Sequence, residues 1–313
     1  MSERTKVGVM GVGHLGSRHA RLYAESAGAE LVGVADVDIE RARAVAASHG
    51  VRAVADFTEL VSEIDAASVA VPTVSHRDVT LRLLDAGVHV LVEKPIAASL
   101  PEAREMVDLA REKALVLAVG HTERHNPAVE ALLRGPRDPR FIEVHRLGSF
   151  SPRSLDIDVV LDLMIHDLDV VSTLVGQEVS SLEAVGVPVL TGRIDIANAR
   201  LRFANGCVAN VTASRVSQEK IRKLRFFEWE RYVSLDYQKQ EAVSYRLVRS
   251  PGAAPEIRRE DLTVLPDEPL RRELEDFLHA VVTGGSARVT GEDGLKALAL
   301  ALEVVQDMEK SRV

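Results

Sequence analysis

Short apolar segments alternate with longer amphipathic segments over residues 1–120 of the chain. We predict strands at 7–10, 31–35, 52–55, 67–71, 88–92 and 115–119, and helices at 17–24, 39–49, 57–62, 76–86 and 101–113. Continuous apolar runs that alternate with helices are typical of parallel strands covered on both faces. Residues 1–120 therefore predict an α/β domain built on a doubly wound parallel sheet.

The pattern changes in the second part of the chain, where apolar and polar residues alternate one by one. We predict strands at 141–147, 182–187, 195–203, 207–213, 224–229, 232–235 and 242–248, and helices at 158–175, 270–282 and 292–310. Asn205-Gly206 lies between two of these strands and is a strong signal for a hairpin turn. Residues 121–313 therefore predict an α+β domain with a largely antiparallel, open-faced sheet. The outer face of such a sheet needs a cover, which predicts a homodimer or homotetramer.

The first predicted strand is followed by a glycine-rich segment, Gly11-Val12-Gly13-His14-Leu15-Gly16, and then by a predicted helix. In this context the first glycine makes a tight turn, the second lets the backbone approach a pyrophosphate, and the third allows close helix packing. The helix N-terminus adds N–H groups and a partial positive charge for the phosphates. The segment therefore predicts a dinucleotide-binding loop, and all of its residues are candidate cofactor contacts.

Asp36 ends the second predicted strand, twenty positions after Gly16. A carboxylate at this position accepts hydrogen bonds from the hydroxyl groups of an adenosine ribose and repels a 2′-phosphate. We therefore expect NAD rather than NADP as the cofactor. Arg41 and Arg43 follow closely and can weaken this preference.

Glu93-Lys94-Pro95 directly follows the predicted strand at 88–92. A lysine at the carboxyl end of a parallel strand points into the crevice where α/β folds bind ligands. The alternative is an ordinary loop lysine followed by a proline that ends the strand.

The predicted helix at 158–175 is apolar on nearly every side, which predicts that it is buried. Asp162, His166 and Asp169 nevertheless fall at i, i+4 and i+7, on a single stripe. Buried charges are destabilising unless they are paired or used in chemistry. The stripe predicts either a catalytic histidine oriented by Asp162 or a self-satisfied Asp–His pair. A metal ion shared by the two would lack an obvious third ligand, so we expect no metal.

The composition restricts the partners and the compartment. The net charge of −8 disfavours a nucleic-acid partner, and aromatic residues make up only 4%, too few for a base-stacking platform. No apolar run has the length of a membrane span, so we expect no membrane partner. Cys207 is the single cysteine, which excludes an internal disulfide and is typical of a reducing compartment. Residues 1–6 enter the first strand at once and leave no room for a signal peptide, so we expect a cytoplasmic protein.

Together these motifs resemble the Gfo/Idh/MocA oxidoreductases. The resemblance covers essentially the whole chain and rests on the glycine loop, Asp36, Val71-Pro72-Thr73 with His76, Glu93-Lys94-Pro95, and the helix with Asp162 and His166. It implies an NAD-dependent dehydrogenase in which Lys94 and His166 meet at the reacting carbon. Three residues are implied to lie along the cofactor, Pro72, Thr73 and His76. Glu93 is implied to lie near the nicotinamide ribose, and Lys94 is implied to contact the cofactor as well.

Three stretches, 119–128, 146–153 and 158–169, resemble a narrower group, the UDP-N-acetylglucosamine 3-dehydrogenases. This resemblance implies oxidation of a secondary hydroxyl of a nucleotide sugar, at C3 of a UDP-N-acetylhexosamine. The candidate substrate contacts in these stretches are Arg124, Asn126, Arg146 and Arg153. Arginine suits this role because a guanidinium binds phosphate oxygens in a fork. The alternative is that Arg146 and Arg153 are surface arginines without a function.

The implied chemistry divides the work between three side chains. An unperturbed histidine has a pKa near 6.5 and takes an alcohol proton at neutral pH, whereas an ammonium stabilises the developing alkoxide. We therefore expect His166 to be the base, Lys94 to be its electrostatic partner and Asp162 to fix the imidazole tautomer. The roles of Lys94 and His166 can be exchanged, because a positive nicotinamide and a desolvated site both favour a neutral lysine.

Two other functions remain open at this point. One is a dehydrogenase of inositol or a free sugar in the same family, for which Arg146 and Arg153 would be idle. The other is a non-catalytic NAD-binding sensor, which the joint presence of Lys94, Asp162 and His166 disfavours.

Overall fold

The computed structural model describes residues 4–135, 137–150, 157–251 and 253–310. Its contacts divide the chain into two compact units. The first consists of Met1–Thr122 and Glu268–Leu298, and the second of Glu123–Asp267 and Ala299–Val313. Residues 268–298, predicted to belong to the second domain, are part of the first unit instead.

The first unit is built on a parallel sheet of six strands in the order β3-β2-β1-β4-β5-β6. The strands are β1 (Thr5–Met10), β2 (Ala29–Ala35), β3 (Arg52–Val54), β4 (Ala66–Val69), β5 (His89–Glu93) and β6 (Leu117–Gly120). They alternate with α1 (Gly16–Glu25), α2 (Ile39–His49), α3 (His76–Asp85) and α4 (Leu100–Glu112). The strand order reverses between β1 and β4, and open α/β sheets bind ligands in the crevice at that point. The predicted doubly wound parallel sheet is confirmed.

One predicted helix of this unit is wrong in type. The segment 57–62 forms two short 3₁₀ turns, Phe57–Glu59 and Val61–Glu63, instead of an α-helix. The Asp56 side chain accepts a hydrogen bond from the Thr58 N–H at 3.0 Å, which starts the first turn. Leu60 separates the two turns and Ile64 is already extended, so each turn ends after three residues.

The segment Glu268–Leu298 completes the first unit because its side chains cover the parallel sheet. It contains α7 (Pro269–Thr283) and the first turns of α8 (Gly291–Lys310). Leu274 and Phe277 of α7 are buried in the same core as Val7 of β1. The Val119 N–H of β6 donates to the Val289 carbonyl at 3.1 Å, so the outer strand of the sheet gains a backbone partner.

The second unit is built on a sheet of eight strands in the order β14-β13-β12-β11-β7-β10-β9-β8. The strands are β7 (Phe141–Leu147), β8 (Val179–Val187), β9 (Ile196–Phe203), β10 (Val208–Ser214), β11 (Ile221–Glu228), β12 (Arg231–Asp236), β13 (Glu241–Val248) and β14 (Glu256–Asp261). The central pair of β7 and β10 is parallel and the other pairs are antiparallel. The largely antiparallel sheet is therefore confirmed, and Gly206 (φ +83°) forms the predicted turn between β9 and β10.

Two elements of this unit escaped the sequence analysis. The residues of β14 are exposed, so this edge strand has no apolar alternation. Helix α5 (Pro127–Leu133) has seven residues and is started by Asn126, whose side chain accepts a hydrogen bond from the Ala128 N–H. None of the helices within the described ranges combines the length and the apolar character that a membrane crossing requires.

Candidate active site

The structure gives a different reason for glycine at each of the three glycine positions in the loop after β1. Gly11 has φ +84°, and a Cβ there would lie 2.7 Å from the Val71 backbone nitrogen. A Cβ on Gly16 would lie 1.8 Å from the Gly11 carbonyl oxygen, so only glycine lets α1 begin so close to the loop. A Cβ on Gly13 would have no protein atom within 4 Å. Space is therefore kept open where the second glycine of a dinucleotide loop admits a pyrophosphate, beside the N-terminus of α1.

The Asp36 carboxylate is buried and fixed by four hydrogen bonds. Oδ2 accepts from the Val12 N–H at 3.0 Å, and Oδ1 accepts from the Asp38 N–H at 2.9 Å. Arg41 Nη1 donates to both oxygens, at 3.2 and 3.3 Å. Arg43 pairs with Glu40 instead. Arg41 is thus the arginine that lies beside the carboxylate.

The loops after β4 and β5 contain the other residues predicted to face the cofactor. Pro72 is exposed, and Thr73 and Lys94 are half-buried. His76, in contrast, is buried, with Nδ1 2.9 Å from the Pro95 carbonyl oxygen and Nε2 3.0 Å from that of Val71. Its ring therefore contacts backbone carbonyls with both nitrogens and does not lie open along a cofactor. Burial lowers the pKa of His76, although both carbonyls favour the charged ring.

Glu93 belongs to a buried polar chain that the sequence analysis missed. Its Oε1 lies 3.0 Å from His19 Nε2, while His19 Nδ1 lies 3.0 Å from Ser68 Oγ. Ser68 Oγ in turn lies 2.8 Å from the Tyr23 hydroxyl. Burial raises the pKa of Glu93, but the His19 hydrogen bond and the positive charges nearby, that of Lys94 included, together hold that pKa below its usual value. In the sequence, the one sign of this hydrogen-bonded chain is His19, a histidine on the buried face of the helix that follows the glycine loop.

Glu273 of α7 is a second buried carboxyl group in the first unit. Thr122 Oγ1 donates to its Oε2 at 3.2 Å. Burial, together with the negative charge of Glu93, raises the pKa of Glu273 well above its usual value. The surroundings of Glu273 thus favour its uncharged acid form, whereas those of Glu93 favour the carboxylate.

The helix that carries His166 begins with a π turn, Val160–Met164, and continues as α6 (Ile165–Val175). A π turn holds one residue more than an α turn, so the turn that contains Asp162 is wider than the α-helical turns that follow it. Asp162 and His166 are half-buried, whereas Asp169 is buried and accepts a hydrogen bond from Arg124 at 3.1 Å. π turns are frequent at functional sites.

Arg146 forms a deeply buried ion pair in the second unit. Its side chain is 4% exposed; Nε donates to Asp167 Oδ2 at 2.6 Å and Nη2 donates to Oδ1 at 2.8 Å. Nη1 donates to Glu123 Oε1 at 2.9 Å, and the guanidinium lies 5.3 Å from the centre of the Tyr237 ring. Arg146 is thus bound to protein partners, and these contacts lend no support to the predicted contact with a diphosphate.

Two further candidate substrate contacts are internal as well. Arg124 is buried and donates to Asp169 and to Thr173 Oγ1. Asn126 is buried, caps α5 and donates to the Tyr237 carbonyl oxygen at 3.0 Å. Arg153 lies outside the described residues. Within the described ranges, no three His, Cys, Asp or Glu side chains come together as metal ligands.

Arg222 of β11 is a candidate that the sequence analysis did not select. It stands opposite Arg146 in the β7–β11 register, and its side chain is 38% exposed. Its Nη1 lies 3.9 Å from Glu123 Oε1, a looser contact than those of Arg146. Burial and the charge of Arg146 lower the pKa of Arg222. In this cluster the guanidinium of Arg146 is therefore bound to carboxylates, whereas that of Arg222 is accessible.

Comparison with known proteins identifies the family. Residues 5–121 match the model described as the oxidoreductase family with an NAD-binding Rossmann fold, and residues 128–227 match the GFO/IDH/MocA C-terminal domain. The chain belongs to the Gfo/Idh/MocA oxidoreductase family.

Relatives in this family match almost the full chain. A UDP-N-acetylglucosamine 3-dehydrogenase from Acidithiobacillus ferrooxidans is 42% identical over 96% of both chains. A solved structure of that enzyme has a TM-score of 0.92 and covers 99% of each chain at 40% identity. An inositol 2-dehydrogenase from Rhizobium meliloti is 27% identical over 98% of both chains.

Membership in this family implies NAD, and the first unit of this Gfo/Idh/MocA protein fits it. The open space at Gly13, the helix N-terminus behind it and the fixed carboxylate of Asp36 provide the three features that a dinucleotide needs. The predicted NAD-binding fold is therefore confirmed at the level of the family.

The burial of Arg146 leads to a stability prediction. Arg146→Met leaves the Asp167 carboxylate buried without its guanidinium, so we expect the free energy of unfolding to fall by about 3–5 kcal/mol in urea titrations. The double variant Arg146→Met/Asp167→Leu buries no charge at this pair and should recover most of that loss.

Arg222→Met is the matched control, because Arg222 lies in the same cluster but is partly exposed. We expect it to change the free energy of unfolding by less than about 1 kcal/mol. Equal losses for Arg146→Met and Arg222→Met would contradict a structural role for Arg146.

Proposed function

We propose that this protein is an NAD-dependent dehydrogenase that oxidises the C3 hydroxyl of a UDP-N-acetylhexosamine to the 3-keto sugar. The observation that supports this most strongly is the 42% identity to a UDP-N-acetylglucosamine 3-dehydrogenase over 96% of both chains. We further propose that it acts in the cytoplasm, and its net charge of −8 supports a partner other than nucleic acid.

In this proposal the glycine loop from Gly11 to Gly16 holds the pyrophosphate of NAD, and Asp36 holds the adenosine ribose. Pro72 and Thr73 lie beside the cofactor. Bound NAD supplies the acceptor for the hydride that leaves the sugar carbon. Because His76 and Glu93 are held inside the protein, we assign them indirect roles.

The protein supplies the acid–base chemistry. His166 takes the hydroxyl proton, and Asp162 fixes the tautomer of its imidazole ring. The Lys94 ammonium stabilises the negative charge that develops on the oxygen. Half-burial of Lys94, Asp162 and His166 supports these roles, because each can be reached by a ligand yet is partly shielded from water.

Arg222 is the guanidinium that we propose for the substrate diphosphate. Arg146 and Arg124 already pair with buried carboxylates, and Arg146 helps to hold the cluster around Arg222 in place. Arg153 stays a candidate from its position in the sequence alone. Guanidinium groups bind phosphate oxygens in a fork, which suits a group that is not already saturated by carboxylates.

An inositol dehydrogenase is the second candidate. It is supported by the full-length match to an inositol 2-dehydrogenase at 27% identity. The same Lys94 and His166 chemistry would serve an inositol hydroxyl, but a diphosphate contact would then have no purpose.

We also propose that the outer face of the eight-stranded sheet joins two subunits. Phe141, Phe227, Tyr232 and Tyr245 stack in a row across β7, β11, β12 and β13, with ring centroids 5.8, 5.0 and 5.6 Å apart. All four rings are only half-buried, whereas their strand neighbours Ile142 and Phe226 point into the core. A row of partly exposed aromatic rings is typical of a protein interface. This supports a homodimer, or a tetramer built from dimers.

The reaction is tested by incubating the protein with NAD and separate substrates while the absorbance of NADH is followed. We expect NADH with UDP-N-acetylglucosamine or UDP-N-acetylgalactosamine and none with myo-inositol. Lys94→Met and His166→Asn should each reduce turnover by about a hundredfold or more, because each removes a positioned catalytic group. Asp162→Asn should be milder, since it leaves the base in place.

NAD affinity should survive both Lys94→Met and His166→Asn, and Lys113→Met on the exposed surface should leave turnover unchanged. Near wild-type turnover by His166→Asn would remove His166 from the mechanism. NADH production from myo-inositol alone would favour the second candidate.

Cofactor preference should depend on the negative charge of Asp36. We expect the wild type to bind NAD more tightly than NADP in fluorescence titrations, because the carboxylate repels a 2′-phosphate. Asp36→Asn removes the charge and releases Arg41, so its preference for NAD should fall by about tenfold or more. The freed Arg41 should raise the NADP affinity of Asp36→Asn, and the double variant Asp36→Asn/Arg41→Ala should lose that gain. A wild type that binds NADP as tightly as NAD would refute the assignment.

The proposed subunit interface predicts oligomers at micromolar concentration in light scattering. Tyr232→Glu places a charge in the aromatic row and should shift the protein to monomers. Val282→Glu on α7 is the control, because Val282 is an exposed apolar residue of the other unit. A monomeric wild type, or equal effects of both substitutions, would rule out this interface.

A further inference from the structure

We infer that two buried histidines, His19 and His76, are positioning residues that hold Lys94 in place by fixing the residues on either side of it. The inference rests on the proposed catalytic role of Lys94. His19 binds the side chain of Glu93, and His76 contacts the carbonyl oxygen of Pro95. Lys94 is the residue between these two attachment points.

The attachment through His19 reaches the backbone of Lys94 itself. The Glu93 carboxylate accepts from His19 through Oε1 and from the Lys94 N–H through Oε2, at 3.0 and 3.3 Å. The hydrogen bonds can run in one direction, from Tyr23 through Ser68 to His19 Nδ1 and from His19 Nε2 to Glu93. This direction gives the carboxylate a hydrogen bond strengthened by its own charge, in a buried site.

Packing against β6 also restricts Glu93. A Cβ on Gly120 of β6 would lie only 2.9 Å from Glu93 Oε2, so the carboxylate lies directly against the neighbouring strand. Glu93 is buried, and its carboxylate therefore has little room for another position.

The attachment through His76 joins the two loops that follow β4 and β5. Nε2 lies 3.0 Å from the Val71 carbonyl oxygen, two positions before Thr73, and Nδ1 lies 2.9 Å from the Pro95 carbonyl oxygen. A neutral ring donates to one carbonyl at a time, and a charged ring donates to both. The contact with Pro95 is the one that bears on Lys94.

The two rings are themselves anchored by secondary structure. His19 lies in α1, the helix that starts at the glycine loop, and His76 is the first residue of α3. Both helices pack on the parallel sheet, and both rings are buried. Side chains whose own positions are locked can hold a catalytic group within the narrow tolerance that catalysis needs.

The test uses the different reach of asparagine and glutamine. The side-chain nitrogen of asparagine takes approximately the place of Nδ1 of histidine, and that of glutamine the place of Nε2. His19→Gln should therefore keep the bond to Glu93, whereas His19→Asn should lose it. At the second position the order reverses, because His76→Asn should keep the contact with Pro95 and His76→Gln should lose it.

Two quantities are measured for the four full-length variants. The first is kcat with NAD and UDP-N-acetylglucosamine, and the second is amide hydrogen exchange of peptides that cover residues 90–97. We expect His19→Asn and His76→Gln to lose about tenfold or more in kcat and to exchange faster, because the segment around Lys94 is released. His19→Gln and His76→Asn should stay within about threefold of wild type in both quantities.

His89 provides the control, since it lies at the other end of β5 and accepts a hydrogen bond from the Val116 N–H through Nδ1. His89→Gln should leave kcat and the exchange of residues 90–97 unchanged. Melting temperatures are measured for all variants, because loss of packing alone would lower stability equally for asparagine and glutamine at a given position.

The outcomes separate this inference from the proposed function. Suppose that the wild type oxidises no nucleotide sugar, but His19→Asn exchanges faster than His19→Gln and His76→Gln exchanges faster than His76→Asn. The positioning role then stands and the proposed substrate is wrong. If the wild type is active but asparagine and glutamine rank alike at both positions in exchange and in kcat, the positioning role is overturned. The same conclusion follows if none of the four variants differs from wild type.

Discussion

A carboxylate that leaves water must find a hydrogen-bonded partner, and this constraint shapes both units of the protein beside their functional residues. In the first unit Glu93 is held by His19 and Asp36 by backbone N–H groups and Arg41. In the second unit Asp167 is held by Arg146. These partners come from other elements of the same unit, so each pair joins a functional segment to the body of its fold.

The buried pair of Arg146 and Asp167 illustrates how this constraint bears on function. Asp167 directly follows His166, and Arg146 lies on β7 beside Arg222. The pair therefore ties the start of α6 to the sheet at the place where a half-buried histidine and a partly exposed arginine are found. Neutral side chains could fill the volume of this pair, but they lack the planar guanidinium that binds a carboxylate in one fixed orientation.

The parts of the structure that the sequence predicts depend on short stretches of chain. Strand and helix alternation fixes the parallel sheet, and the spacing of Gly11, Gly13 and Gly16 fixes the loop, because both follow from local geometry. Partners distant in sequence are not predicted in this way. An arginine in a sequence motif, such as Arg146, has the same appearance whether it faces a ligand or a buried carboxylate.

Similar reasons explain the other differences between sequence and structure. The π turn at Val160–Met164 changes the helical phase by one residue, which no apolar pattern reveals. His19 is one polar residue on an otherwise ordinary helix face, and its importance appears only when Glu93 and Ser68 are found beside it. The comparison with relatives identifies the family, whereas these local contacts describe how this chain holds its own residues.

The division of the chain into Met1–Thr122 with Glu268–Leu298, and Glu123–Asp267 with Ala299–Val313, has a consequence for biosynthesis. A ribosome releases a chain from its N-terminus, so neither unit can be completed until the last helices have emerged. Until Leu274 and Phe277 arrive, the apolar surface that they cover in the finished parallel sheet stays exposed to water. Nascent chains of this protein therefore depend on late-emerging residues, and a chain that ends prematurely near Asp267 leaves both units unfinished and exposed to chaperones and proteases.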